Sequence, residues 1–197
     1  MNFEQGYFKD SKISNYEDYT QKKYDTLCEE LILLGIESED TIVDFGCATG
    51  ALVSEFKKRG YNSIRGTDVS WWAIQEGRRI YDFNPDTLQH LNYSLLEAGA
   101  KWIFALDVLE HVGTAELWHI VDLIQCEHLV VRMPVCSKEG DPYVLPVSRN
   151  DKTHIQCHTK IWWMKLLESR FVYEGSLKGK AIYDSDGVFA AVFKCEQ

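Results

Sequence analysis

Four short stretches hold the residues best suited to chemistry. In VDFGCATG, Asp44 lies within an apolar run and is followed by a loop of small residues: Gly46, Cys47, Ala48, Thr49 and Gly50. Gly46 lets the chain turn sharply, while Ala48 and Gly50 keep the loop low enough for a ligand to reach the backbone where a helix begins. Packing of a tight strand–helix turn calls for the same small residues, so the loop alone leaves both readings open. Asp68, in RGTDVS, closes the next apolar run. A carboxylate there can accept both hydroxyls of a ribose, although a helix-capping or surface aspartate looks the same. Asp44 among apolar neighbours needs partners to offset its desolvation, and backbone amides or a cationic ligand group would serve.

The third stretch, ALDVLEHV, carries Asp107, Glu110 and His111. Glu110 reads as a carboxylate closing a strand–helix joint; His111 reads either that way or as a wall of an active site. The fourth, NDKTHIQCHTK, brings His154, Cys157 and His158. Zinc ligation by these with His111 or Cys136 is conceivable, but loose histidines near a cysteine more often serve otherwise, and the reading takes no metal. His154 is the preferred general base or acceptor-positioning donor. Arg132, in VVRMPV, suits either an anionic acceptor group or a snorkelling edge position. Tyr16 and Tyr19 suit either a lid over a cationic or aromatic ligand or plain packing.

The elements that must position these groups alternate. A helix is expected over residues 19–34, stopped by Gly35. TIVDF, NSIRGTD, LQHLNYS, KWIFALDVL and EHLVVRMPV read as strands, separated by the helices ALVSEFKKRG, SWWAIQEGRRIY and ELWHIVDLIQC. KIWWMKLLESRF is a further helix, and FVYEGSL and GVFAAVFKC close the chain as strands. Ser70 is placed to cap its helix, and Lys57, Lys58 and Arg59 before Gly60 read as a solvated helix end. Nearly continuous apolar strands alternating with helices imply a parallel sheet covered on both faces. The last two strands have only AIYDSD between them and no helix, which favours an antiparallel pairing at the end. The fold class is therefore α/β: a Rossmann-like, doubly wound seven-stranded sheet with an antiparallel last strand. Ligands in such sheets bind beyond the carboxyl ends of the strands, where strand order reverses.

The chain of 197 residues suits a single domain, 1–197, with residues 1–20 as an arm or lid and 135–160 as the segment facing an acceptor. A net charge of -9 argues against the phosphate backbone of nucleic acid as the main partner and favours a small acceptor. The six cysteines are scattered with no Cys-x-x-Cys pair, as expected of reduced thiols in the cytoplasm. MNFEQGYFKD has no basic region followed by an apolar stretch, and no apolar run approaches the ~20 residues that span a bilayer.

Together, VDFGCATG, the acid of GTDVS and DVLEHV resemble class I S-adenosylmethionine-dependent methyltransferases, in the broad group that modifies small molecules. The resemblance covers most of residues 40–135. It implies S-adenosylmethionine as cofactor, with Gly46, Cys47, Ala48 and Gly50 lining its methionine part and ribose. Asp44 would sit near its amino group, Asp68 on the ribose hydroxyls, Val69 on the adenine and Asp107 by the amino-acid end. One of Trp71 and Trp72 would pack on the sheet and the other flank the adenine. Two departures stand out: Ala48 replaces the family's middle glycine, and Ser94 occupies the approximate place of an acid that holds the adenine amine. His154 and His111 remain the catalytic candidates. An NAD-dependent oxidoreductase, matching G-x-G-x-x-G/A loosely through Gly46, Ala48 and Ala51, leaves Asp44 and DVLEHV unexplained; a non-catalytic nucleoside-binding module is the third reading.

Overall fold

The computed structural model describes residues 3–9 and 21–195. Seven strands form one sheet: β1 (Ile42–Phe45), β2 (Ile64–Asp68), β3 (Leu88–His90), β4 (Ala100–Leu106), β5 (Cys126–Pro134), β6 (Phe171–Ser176) and β7 (Val188–Cys195). Their order is β3-β2-β1-β4-β5-β7-β6. All neighbours from β3 to β5 pair in parallel, and β7 runs antiparallel between β5 and β6. The expected doubly wound sheet with an antiparallel last strand is therefore present.

The strands are apolar throughout because both faces are covered. Along β5, Leu129, Val131 and Met133 enter one core while Val130 enters the other, as the two-residue period of a strand requires. The first core packs under α6 (Thr114–Leu123) and α8 (Lys160–Leu167). The second packs under α2 (Gln21–Ile32), α3 (Ala51–Lys58) and α4 (Trp71–Tyr81). Ser70 caps α4, accepting from the Ala73 amide at 3.0 Å. Gly60, at φ +91°, ends the turn after α3, and Arg59 in that helix end pairs with Glu55 and Asp25. The remaining helices are short: α1 (Gln5–Lys9), α5 (Ser94–Glu97) and α7 (Pro146–Asn150).

The sheet is wound outward from β1 to β3 and resumes at β4 on the other side of β1. That reversal opens a crevice beyond the carboxyl ends of β1 and β4. The third strand is shorter than LQHLNYS suggests. It lies at the sheet edge with one neighbour, and at Leu91 the backbone turns to φ +39°.

Candidate active site

Two turns face each other across the crevice. After β1, Gly46 takes φ +79°, and a Cβ there would lie 2.5 Å from Cγ2 of Val108 in the turn after β4. Only glycine lets these turns meet so closely. The loop amides are consumed within the protein. Gly46 and Cys47 donate to the Thr67 carbonyl at 2.9 and 3.1 Å, Ala48 to Asp68 Oδ2 at 2.8 Å, and Gly50 to the Cys47 carbonyl at 2.8 Å. A pyrophosphate needs such amides free, so this loop is not built to cradle one. Ala48 stands at φ +49°, in the left-handed region, with its amide bonded to Asp68.

Asp68 also accepts the Ser70 amide, at 2.7 Å through Oδ1. Each of its oxygens keeps a lone pair, the requirement for gripping a vicinal diol. Burial raises its carboxyl, and the amides of Ser70 and Ala48 oppose that rise. Asp44 lies opposite Gly66 and Phe104 in the sheet and is 5% exposed. Among the described residues nothing donates a hydrogen bond to it. Burial, with Asp68 nearby, pushes its carboxyl up to about 7. A cationic ligand group would reverse both causes.

Both carboxylates line a cavity of about 620 Å³, within the range of small-molecule sites, roughly 300–1,000 Å³. Gly46, Cys47, Ala48, Val69 and Asp107 line it as well. Gly50 does not belong to its wall: at φ +75° it precedes α3, and a Cβ there would meet Leu88 of β3 at 2.8 Å. There glycine meets the demands of backbone shape and packing. Asp107, at φ +54°, turns its carboxylate to Arg132, whose Nε donates to its two oxygens at 3.1 and 2.9 Å. Arg132 Nη1 donates to the Ala181 carbonyl at 2.9 Å. Arg132 is thus a buried partner of Asp107 and not a snorkelling edge residue.

Ser94 is exposed, donates to Asn92 Oδ1 at 2.6 Å and lies outside the cavity wall, whereas Leu91 and Tyr93 line it. Neither Trp71 nor Trp72 lines the cavity. Trp71 is 56% exposed against His90, and Trp72 stacks on Phe8 of α1 with centroids 5.5 Å apart. Tyr7 and Phe8 of α1, with Phe3 just before it, line the cavity. Tyr16 and Tyr19 lie outside the described residues.

At the other end of the cavity His111 and His154 meet, ring centroids 4.6 Å apart, with Glu110 beside them. The segment after α7 is tied to their turn: the amides of Ile155 and Gln156 donate to the Glu110 carbonyl at 2.9 and 3.0 Å. Gln156 Nε2 also donates to the Val112 carbonyl at 2.8 Å. Burial lowers both imidazoles, that of His111 to about 4 with His154 contributing. Cys157 and His158 are not part of this group. His158 stacks on Trp162 at 3.6 Å and pairs with Glu139, while Cys157 lies near Asp141 and Cys136. Glu110, read from sequence as structural, is fully buried with both carboxyl oxygens unpartnered. Its position within a short motif carries no sign of that; only the return of residues 153–156 reveals it.

The sheet of this order thus opens a cavity at its strand switch with Asp44 and Asp68 in the wall. The sequence pattern of the methyltransferase-domain family matches residues 16–123. That is more than half of the chain, and the chain belongs to this family. No curated protein sequence matches it. Similar solved structures include a chain in the Haloferax volcanii complex of the Trm112 methyltransferase activator with a methyltransferase: TM-score 0.69, 13% identity, covering 98% of this chain and 97% of that one. A magnesium protoporphyrin IX methyltransferase from Synechocystis with bound S-adenosylhomocysteine aligns at TM-score 0.61 and 18% identity, over 89% and 83% of the chains. A methyltransferase dependent on S-adenosylmethionine from Archaeoglobus fulgidus aligns at 0.65 and 12%, over 91% and 96%. The protein is an S-adenosylmethionine-dependent methyltransferase, and the oxidoreductase and non-catalytic readings fall away. Among the described residues no helix is long and apolar enough to cross a membrane.

Proposed function

We propose that this methyltransferase acts on an oxygen or nitrogen of a small metabolite or glycan precursor. The observation that carries this reading is the single cavity joining Asp44 and Asp68 to His111 and His154 beneath α1 and residues 145–155. A covered cavity admits a small acceptor more readily than a folded RNA or protein, and the charge of -9 opposes a polyanion. When bound, S-adenosylmethionine supplies an electrophilic methyl group, which bonds to the acceptor as its carbon–sulfur bond breaks and the electron pair stays on sulfur.

In this reading the chain's own residues bind, orient and exclude water. Asp44 takes the ammonium group, Asp68 the ribose hydroxyls, and Gly46, Cys47 and Ala48 leave room for the backbone approach. Val69, with Leu91 and Tyr93, packs on the base. The pair of Asp107 with Arg132 fixes the floor beside the amino-acid end. His111 and His154 stand at the acceptor end and hold the acceptor atom in line, where alignment supplies much of the rate. Residues 1–197 act as one domain, with 1–20 as lid and 135–160 selecting the acceptor. The six free cysteines suit the cytoplasm.

The test is a methyl-transfer screen with labelled S-adenosylmethionine against hydroxyl- and amine-bearing metabolites, bulk RNA and protein extract. Label entering a small molecule, and lost with Asp68→Ala, supports the reading. Label entering only RNA or protein overturns it.

A further inference from the structure

Glu110 is the least satisfied polar side chain among the described residues. It is 0% exposed, and neither Oε1 nor Oε2 has a hydrogen-bond partner. A buried carboxyl without partners is destabilising and persists where something else uses it. The nearest polar atom of His154, Nε2, lies 4.0 Å from Oε1, too far for a hydrogen bond.

The hydrogen bonds around the two imidazoles assign their tautomers. His154 Nδ1 lies 3.0 Å from the Ser148 carbonyl, which can only accept, so Nδ1 carries the proton and Nε2 presents a lone pair. Thr153 Oγ1 donates to Asp151 Oδ1 at 2.5 Å, leaving that hydroxyl to accept from His111 Nδ1 at 2.8 Å. His111 Nε2 therefore also presents a lone pair. Asp151 is anchored in turn by Tyr7, whose hydroxyl donates to Oδ2 at 3.2 Å. Each imidazole thus gives its Nδ1–H to an outer acceptor and leaves Nε2 unprotonated, the state in which a histidine can ligate a metal.

One donor atom from each of Glu110, His111 and His154 lies within 4.8 Å of the other two. An ion about 2.1 Å from each donor needs them roughly 3–3.5 Å apart, a contraction within reach of small side-chain rotations. We propose that Glu110, His111 and His154 bind a divalent cation at the acceptor end of the cavity. Two imidazoles and one carboxylate favour a borderline ion such as Zn²⁺, Co²⁺ or Fe²⁺ over Mg²⁺ or Ca²⁺, which take oxygen ligands. Three protein ligands leave at least one position for water or an acceptor oxygen. The site deepens the proposed function and rests on it in one respect, the reading of this end as the acceptor's. It makes the acceptor an oxygen nucleophile, oriented by the ion and made more acidic by it.

Metal-stripped protein titrated with Co²⁺, followed by visible absorption and equilibrium dialysis, tests the site without donor or acceptor present. One saturable equivalent is expected, displaced by Zn²⁺ and not by Mg²⁺. Glu110→Gln, nearly isosteric, should weaken it by roughly 10–100-fold or more, and His154→Ala should do the same. Titration of both variants with S-adenosylhomocysteine shows that the donor half still folds, and it separates failure of the metal site from failure of the donor reading. Absence of saturable Co²⁺ binding in the wild type overturns the proposal, as does equal affinity in the wild type and both variants.

Discussion

Asp44 gives a prediction with a sign and a size. Its carboxyl is pushed from 3.8 to about 7, first by burial and then by the neighbouring Asp68. If the ionised form receives the ligand's ammonium group, binding must remove a proton wherever Asp44 is protonated. The apparent dissociation constant then scales as one plus the ratio of protonated to ionised Asp44. Between pH 8 and pH 6 that ratio carries affinity for S-adenosylhomocysteine down by roughly tenfold, with nearly one proton released on binding at pH 6. Calorimetric titration at three pH values, in two buffers of different ionisation enthalpy, reads both quantities. Stability of the free protein moves in the opposite sense. A carboxyl raised in the folded state stabilises fully below the unfolded value, and that contribution is lost as pH rises through about 7. A rise of this size corresponds to on the order of 4 kcal/mol by pH 8. Asp44→Asn removes the charge but leaves a buried amide costing about 1–3 kcal/mol. The variant should therefore melt several degrees higher at pH 8 while binding S-adenosylhomocysteine far more weakly, with no pH slope. Equal affinity of the wild type at pH 6 and 8 would refute the assignment. A slope that survives in Asp44→Asn would move the titration to Asp68.

Two further substitutions probe how the site is held. Gly77 lies in α4, and a Cβ there would sit 2.2 Å from the Thr49 carbonyl oxygen and 2.8 Å from Leu88 Cδ1. Helix propensity favours Gly77→Ala by about 1 kcal/mol, but overpacking against backbone costs about 1–3 kcal/mol. The urea midpoint should fall and S-adenosylhomocysteine bind more weakly as the loop shifts; a raised midpoint would show that the loop yields freely. Glu30 of α2 accepts the amides of Lys180, Ala181 and Ile182 at 2.5, 2.9 and 3.0 Å, fixing the loop whose Ala181 carbonyl receives Arg132. Glu30→Ala should cost about 1–3 kcal/mol and speed hydrogen exchange at these amides without touching β4; unchanged protection there would discount the contact.

The sheet was legible because both its faces are buried. TIVDF and EHLVVRMPV stay apolar along their length, a pattern that a half-exposed strand cannot afford. The edge strand β3 was legible only in part, since three residues with one neighbour carry little pattern. The glycine-rich loop was legible because its small residues stand in register with Asp44 and Asp68, yet the residue types did not separate two uses of glycine. Gly46 meets the turn after β4 at the cavity, and Gly50 meets Leu88 away from it. The acceptor end was the least legible. His154, Cys157 and His158 look like one cluster in sequence, but residues 154–159 have no regular structure, so their spacing implies no shared face. What unites His154 with Glu110 and His111 is the pair of amide bonds from Ile155 and Gln156 to the Glu110 carbonyl, a contact between distant segments. The same return explains why Glu110 looked structural. Its backbone does close a joint, as the sequence suggests, and that backbone role is what holds its side chain, buried and unpartnered, beside two imidazoles.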